Sequence, residues 1–86
     1  MASPDSDARQ RTAHLRAPAD IGLAIQQARL AHGWSQTALA ARVGMSQRSI
    51  SEIESGKATI MLRKLFELMR ATGVELTAQW EDPEAS

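Results

Sequence analysis

The chain has 86 residues, no cysteine and only 3% aromatic residues, so we expect one small domain with an aliphatic core and no disulfide or cysteine-based metal site. No apolar run approaches the roughly 18 residues of a membrane helix, and the N-terminus lacks the apolar segment of a secretory signal. We therefore expect a cytoplasmic protein with no membrane partner and no metal or other cofactor. Two His and no Tyr or Cys leave few catalytic side chains, so we do not expect an enzyme.

The net charge is zero, but the charges are unevenly distributed. Between Arg9 and Arg70 there are ten Lys and Arg and four acidic residues, so this part of the chain carries +6. The remaining acidic residues lie near the two ends. A basic body with acidic ends is compatible with a phosphate-binding face, and equally with the ordinary unevenness of a small domain.

Residues 1–18 are rich in Ser, Pro, Ala, Asp and Arg and have little apolar periodicity, so we expect a flexible N-terminal arm. Its arginines Arg9, Arg11 and Arg16 could follow a DNA backbone or groove, as the arms of some DNA-binding domains do, or the arm could simply be solvated.

The next segment predicts a first helix from an N-cap at Asp20 to about Ala31. Its apolar residues recur at the three- and four-residue spacing of an amphipathic helix: Ile21, Ala24, Ile25 and Ala28. Gly33 follows as a helix stop. We expect Trp34 to pack in the core as a hydrophobic staple at the start of the next helix.

Residues 35–55 predict two short helices joined by a tight turn. Ser35 and Ser46 are favoured N-caps, and they precede helices over residues 36–42 and 47–54. Gly44 suits a turn that needs a positive φ, and Ala40 lies where the two helices come closest. This is the helix-turn-helix pattern, whose second helix lies in the major groove of DNA.

The polar residues of this motif have both a functional and an ordinary interpretation. Gln47 and Arg48 take the first exposed positions of the second motif helix, where Gln can pair with adenine and Arg with guanine. Alternatively, the glutamines are surface helix formers, and Arg48 and Glu52 form an exposed ion pair. Taken together at this spacing, the residues favour recognition. The predicted DNA-binding residues are Gln36, Thr37, Gln47, Arg48, Ser51, Glu52 and Lys57.

A fourth helix is predicted from residue 60 or 61 to residue 71, with a buried face made of Leu62, Leu65, Phe66 and Met69. After Gly73, residues 74–80 alternate apolar and polar side chains, which predicts a strand. Because the sequence offers no other strand candidate, we expect this strand to pair with its own copy in a two-fold homodimer, although it could also be a frayed tail. The predicted dimerisation residues are Val74, Leu76, Ala78 and Trp80.

Residues 33–57, GWSQTALAARVGMSQRSISEIESGK, resemble the DNA-binding domain of lambda-repressor-like (XRE-type) regulators, and the resemblance extends over residues 21–73. The family motif has Gln at the start of two helices, Ala in the first and Gly in the turn, as Gln36, Gln47, Ala40 and Gly44 are here. The resemblance implies that Gln36 contacts phosphate or a base and that Gln47, Arg48, Ser51 and Glu52 form the reading surface. It also implies a structural ion pair between Arg29 and Glu54.

A strand directly after a four-helix domain is similar to the HipB-like antitoxins. These proteins dimerise partly through such a strand, repress their own operon and bind a HipA-like serine/threonine kinase toxin. Phage repressors of this class usually have a fifth helix where this chain has the strand. The resemblance thus implies an antitoxin that binds double-stranded operator DNA and a HipA-like kinase. A stand-alone regulator without a toxin, or an interaction module that no longer binds DNA, are the alternatives.

The expected fold class is therefore all-α, with a four-helix lambda-repressor-like domain and a C-terminal strand that pairs across a homodimer. The expected division is an arm over residues 1–18, a DNA-binding domain over 19–73, a dimerisation strand over 74–80 and an acidic tail over 81–86.

Overall fold

The computed structural model describes residues 10–83, and within them the chain forms four helices and two strands. In chain order these are β1 (Gln10–Leu15), α1 (Pro18–Ala31), α2 (Gln36–Val43), α3 (Gln47–Glu54), α4 (Ile60–Thr72) and β2 (Leu76–Glu81). The four predicted helices are confirmed. Helix α3 packs against both α1 and α2, and the two strands pack against α1.

The two strands form an antiparallel sheet within one chain, which differs from the expected pairing between two copies. The register runs from Gln10 opposite Glu81 to Leu15 opposite Leu76. Residues 10–15, expected to belong to the arm, are therefore strand β1. Their sequence gives little sign of this, because Ala13 and Leu15 are its only apolar residues, and the strand depends on hydrogen bonds to β2. Residues 1–9 of the expected arm and 84–86 of the acidic tail lie outside the described residues.

The four residues predicted for dimerisation do not form one exposed surface. Ala78 and Trp80 are half-buried, and Trp80 lines a cleft with Leu23 and Ala24 of α1. Leu76 pairs with Leu15, and Val74 precedes the strand and is exposed. Trp80 is therefore partly buried against its own chain, so its burial does not require a second copy.

Helix α1 begins two residues before the expected N-cap. Ala17 is the N-cap and Pro18 the first helical residue, while Asp20 lies inside the first turn. The Asp20 carboxylate accepts hydrogen bonds from the backbone N–H groups of Arg16, at 2.8 Å, and Ala17, at 3.1 Å. Proline suits the first position because that residue needs no N–H, and a carboxylate in the first turn stabilises the positive end of the helix dipole.

The apolar core of the described chain is small. Its buried apolar side chains are Ala24, Ala40, Ile50, Phe66 and Met69. Helices α1 and α3 cross in backbone contact, because a Cβ placed on Gly22 would lie 2.1 Å from the carbonyl oxygen of Ile53. No side chain fits at that crossing, so Gly22 fixes how closely α3 approaches α1.

Helix α4 buries a narrower face than the sequence predicts. The Thr59 hydroxyl accepts a hydrogen bond from the Leu62 N–H at 3.1 Å and caps the helix. Phe66 and Met69 are buried and Leu62 is half-buried, but Leu65 is exposed. Leu65 precedes Phe66 by one residue and so lies about 100° away around the helix. The sequence indicates which residues are apolar, but the neighbouring elements cover only part of that side.

Candidate nucleic-acid interface

The helix-turn-helix forms from local signals at its two helix starts and its turn. The Ser35 hydroxyl accepts a hydrogen bond from the Ala38 N–H at 3.0 Å, and that of Ser46 from the Ser49 N–H at 3.1 Å. Gly44 ends α2 in the left-handed region with a φ of 70°, where a side chain would be strained. Both N-caps and the turn are where the sequence predicts them, and three residues separate the end of α2 from the start of α3.

A side-chain hydrogen bond joins the N-termini of α2 and α3. The Gln47 Nε2 donates to the Gln36 Oε1 at 2.6 Å, and the Gln36 Nε2 donates to the Glu54 Oε1 at 3.1 Å. Each glutamine is the first residue of its helix, so the bond brings two positive helix ends together. Free backbone N–H groups at such ends bind anions, phosphate among them.

The buried end of this chain of hydrogen bonds is an ion pair between α1 and α3. The Arg29 Nε donates to the Glu54 Oε2 at 2.6 Å and the Arg29 Nη2 to Oε1 at 2.9 Å. A third guanidinium nitrogen, Nη1, donates to the Trp34 carbonyl at 2.7 Å. The two side chains are only 8% and 2% exposed. This two-bond geometry fixes α1, α3 and the segment before α2 relative to one another.

The ion pair stabilises both charged forms. Hydrogen bonding to Arg29 holds the pKa of the Glu54 carboxyl below its ordinary value, against the opposing effect of burial. Hydrogen bonding to Glu54 raises the pKa of the Arg29 guanidinium. Gln36 also donates a hydrogen bond to the carboxylate, and both Gln36 and Gln26 favour its charged form. Glu54 therefore stays ionised, and its remaining acceptor capacity orients Gln36.

The outer surface of α3 carries a cation at its N-terminal end. Arg48 is 87% exposed, and its Nε lies 3.2 Å from the Glu52 Oε1 one turn later. The Lys57 Nζ, from the loop after α3, lies 3.8 Å from the same oxygen. The exposed ion pair considered from the sequence is therefore present, and Glu52 has two cationic neighbours in the unbound chain.

The predicted DNA-binding residues fall into two groups in the structure. Thr37, Gln47, Arg48 and Lys57 are exposed, whereas Gln36, Ser51 and Glu52 are half-buried. Gln36 and Gln47 touch one another, and Arg48, Glu52 and Lys57 form the charged cluster. Among the hydrogen bonds and ion pairs of the described chain, none joins Thr37 to the glutamine pair or to the charged cluster.

One residue of the site, Trp34, differs from its sequence prediction, and another, Gln26, was not predicted. Trp34, expected to be a core staple, is half-buried, with the His32 ring stacked on it at 4.2 Å between centroids and the Arg42 guanidinium 4.1 Å from its ring centroid. Gln26 of α1 was not predicted to take part, although it helps to lower the pKa of Glu54. Its position one helical turn before Arg29, on the same side of α1, is the signal that could have indicated it.

Neither a membrane segment nor a metal cluster occurs in the part of the chain that the structure describes. No helix within residues 10–83 is long and apolar enough to cross a bilayer. The same residues contain no group of three or more His, Asp or Glu side chains placed to hold a metal ion.

Residues 25–79 match the family model described as Helix-turn-helix. This range contains α2, α3 and α4, the C-terminal half of α1 and most of β2. No curated protein and no solved structure matches the chain. The matched range is more than half of the chain and contains the two linked helix N-termini. The chain belongs to the lambda-repressor-like (XRE-type) helix-turn-helix family of DNA-binding regulators.

Proposed function

We propose that this protein is a sequence-specific DNA-binding repressor that reads an operator with the N-terminal part of α3. The observation that carries the proposal is the 2.6 Å hydrogen bond between Gln36 and Gln47. It holds two helix N-termini side by side, with the buried Arg29–Glu54 pair behind them. A phosphate beside α2 would then fix the depth at which α3 enters the major groove.

The charges of α3 agree with base recognition. In the unbound protein Arg48 pairs with Glu52 at an exposed position, and such pairs contribute about 0.2–1 kcal/mol. A bidentate Arg–guanine contact contributes roughly 1–3 kcal/mol of discrimination against the wrong base. The exposed ion pair is therefore weak enough to be exchanged for a guanine contact, which would leave Lys57 as the cationic neighbour of Glu52 and let Glu52 accept from a cytosine. Gln47 would contact the adjacent base, and Ser51, one helical turn later, would contact the DNA beside it.

Phosphate contacts complete the proposed interface. Lys57 is well exposed and follows α3, and Thr37 is exposed in the first turn of α2. Contacts of this kind position a protein on the duplex without selecting its sequence. A regulator of this size reads only a few base pairs with one recognition helix, so we include in the proposal a two-fold homodimer on a palindromic operator.

The finer role in the proposal is that of a HipB-like antitoxin, which represses its own operon and neutralises a HipA-like serine/threonine kinase. Its support is the resemblance of a helix-turn-helix domain followed by a short C-terminal strand. The test is co-expression with any kinase-like protein encoded beside it, followed by affinity purification on a tag carried by this chain alone. A stoichiometric complex supports the antitoxin role. Absence of a complex, with DNA binding retained, indicates a stand-alone regulator.

The DNA-binding proposal itself is tested by selection from a random duplex library. Purified protein is expected to enrich one sequence, whose affinity exceeds that for scrambled duplex by roughly 10³-fold or more at physiological salt. Affinity for the scrambled duplex should fall steeply as salt rises, because phosphate contacts release counterions. Lack of enrichment over several rounds, with the protein folded, would contradict the proposal and favour an interaction module.

A further inference from the structure

Helix α4 exposes a set of large apolar side chains that nothing in the described chain covers. Ile60 is 70% exposed, Met61 78%, Leu65 47% and Leu68 63%. The helical period places these four residues within one arc of about 140°, beside the stripe that packs into the core. We call this surface, Ile60, Met61, Leu65 and Leu68, the α4 outer face. Single exposed leucines are common on soluble proteins, but a contiguous set of this kind marks an interaction surface.

The charges around the α4 outer face are self-complementary. Lys64 lies within the same arc and Glu67 at its edge, and their side chains meet at 3.1 Å. A two-fold axis near Leu65 would run two copies of α4 antiparallel. That arrangement brings Lys64 of one copy toward the partner's Glu67, and the reverse contact follows by symmetry. This surface carries one positive and one negative side chain, and each lies opposite a charge of the other sign when a second copy is placed antiparallel. It therefore fits a second copy better than a partner that carries charges of one sign.

The small core points to the same occupant. Five apolar side chains are buried in the described chain, two of them alanines, and four large ones remain on α4 in contact with water. Domains of this size often gain stability through association because they bury too little surface alone. The strand residues expected to supply the interface cannot do so as one surface, since Trp80 and Ala78 already pack within their own chain.

We infer that the α4 outer face is the homodimer interface, with α4 of each copy packed antiparallel on α4 of its partner about a two-fold axis near Leu65. The inference rests on the proposed function for its expectation of a dimer, and it names the surface that function would use. The face is separate from Gln36, Gln47 and Arg48, so its disruption would leave each single DNA-reading surface intact.

The test measures the molar mass of the full chain by analytical ultracentrifugation, without DNA, over micromolar concentrations. Wild type is expected to sediment as a dimer and Leu68→Glu as a folded monomer. The matched control is Leu30→Glu, a leucine of α1 that is 60% exposed and lies outside the face. This control is expected to remain a dimer. A monomeric wild type, or a Leu68→Glu variant that still dimerises, would overturn the inference.

A charge exchange tests the antiparallel arrangement without placing a charge in the apolar surface. Lys64→Glu or Glu67→Lys alone is expected to raise the dimer dissociation constant roughly two- to tenfold, the effect of losing exposed pairs across the axis. The double variant is expected to return to within about twofold of wild type, because both pairs re-form with their signs exchanged. If the two single effects simply add in the double variant, the antiparallel pairing is wrong.

These measurements separate the inference from the proposed function. If Leu68→Glu converts the dimer to a monomer but the wild-type protein selects no DNA, the inferred interface is supported and the proposed DNA-binding function is rejected. If the protein selects DNA but its molar mass does not change with substitutions on α4, the proposed function is supported and the inferred interface is rejected.

Discussion

Replacing Glu54 by Gln removes one negative charge from the buried centre of the domain and keeps the side-chain shape. Arg29 then faces an amide where it had a carboxylate held by two hydrogen bonds of 2.6 and 2.9 Å. The Arg29 side chain is largely shielded from water, with 8% of its surface exposed. Removing one partner of a buried ion pair costs about 3–5 kcal/mol, because the other charge stays buried without compensation.

This loss is large compared with the stability of the whole domain. At about 0.05–0.15 kcal/mol per residue, a chain of 86 residues has a free energy of unfolding of roughly 4–13 kcal/mol. We therefore expect Glu54→Gln to be strongly destabilised, and at the lower end of that range to be largely unfolded. The matched control is Glu52→Gln on the same helix, where the ion pair is exposed and the expected cost is below about 1 kcal/mol.

The assay is urea denaturation followed by far-ultraviolet circular dichroism and tryptophan fluorescence. Fluorescence is informative because the backbone carbonyl of Trp34 accepts from Arg29, so loss of the ion pair acts on the segment that carries this indole. A double variant, Arg29→Met with Glu54→Leu, is expected to lose much less than Glu54→Gln, since no charge is then left buried. A Glu54→Gln variant within about 1 kcal/mol of wild type, or equal to Glu52→Gln, would refute this reasoning.

The same variant has a pH signature. Because the folded state lowers the pKa of Glu54, the stability from this group is complete above the ordinary pKa of 4.5 and is lost as pH falls toward the folded value. Wild type should therefore lose stability below about pH 4.5 more steeply than Glu54→Gln, which lacks the titrating carboxyl. Identical acid dependence in both proteins would contradict the assignment.

Two further substitutions test the packing of α1. Gly22→Ala is expected to lower the free energy of unfolding by about 1–3 kcal/mol in urea, despite the better helix propensity of alanine, because its Cβ would meet the Ile53 carbonyl; an unchanged or higher stability would show that α1 and α3 do not touch there. Trp80→Phe is expected to stay within about 1 kcal/mol of wild type, since the Trp80 Nε1 is buried without a hydrogen-bond partner in the described chain and its removal costs no bond; a substantially larger loss would indicate a partner for that nitrogen.

The helical part of the fold could be predicted from the sequence because its signals are local. Ser35 and Ser46 cap helices, and Gly44 supplies a left-handed turn, through contacts within three residues or through the backbone alone. Strand β1 could not be predicted in the same way. Residues 10–15 have weak alternation, and what makes them a strand is pairing with residues more than 60 positions later.

The candidate site shows the same division. Its polar residues could be recognised from their spacing, and the pairing of Arg29 with Glu54 followed from the family resemblance. The link from Glu54 to Gln36 depends on how three helices meet, which no single helix pattern records. The burial of the α4 side chains also could not be predicted from the sequence. The apolar pattern of α4 does not show which of its two adjacent stripes the rest of the chain covers, and Leu65 lies on the uncovered stripe.

Base reading by the start of α3 is tested by comparing the sequence preferences of wild type, Arg48→Ala and Lys57→Ala in the same duplex selection. Arg48→Ala is expected to lose discrimination at one base position in each half-site, at a cost of about 1–3 kcal/mol, and to keep the other positions. Lys57→Ala should keep the whole preference and bind all duplexes more weakly. An Arg48→Ala protein that selects the wild-type sequence with undiminished discrimination at every position would show that the start of α3 does not read bases through Arg48.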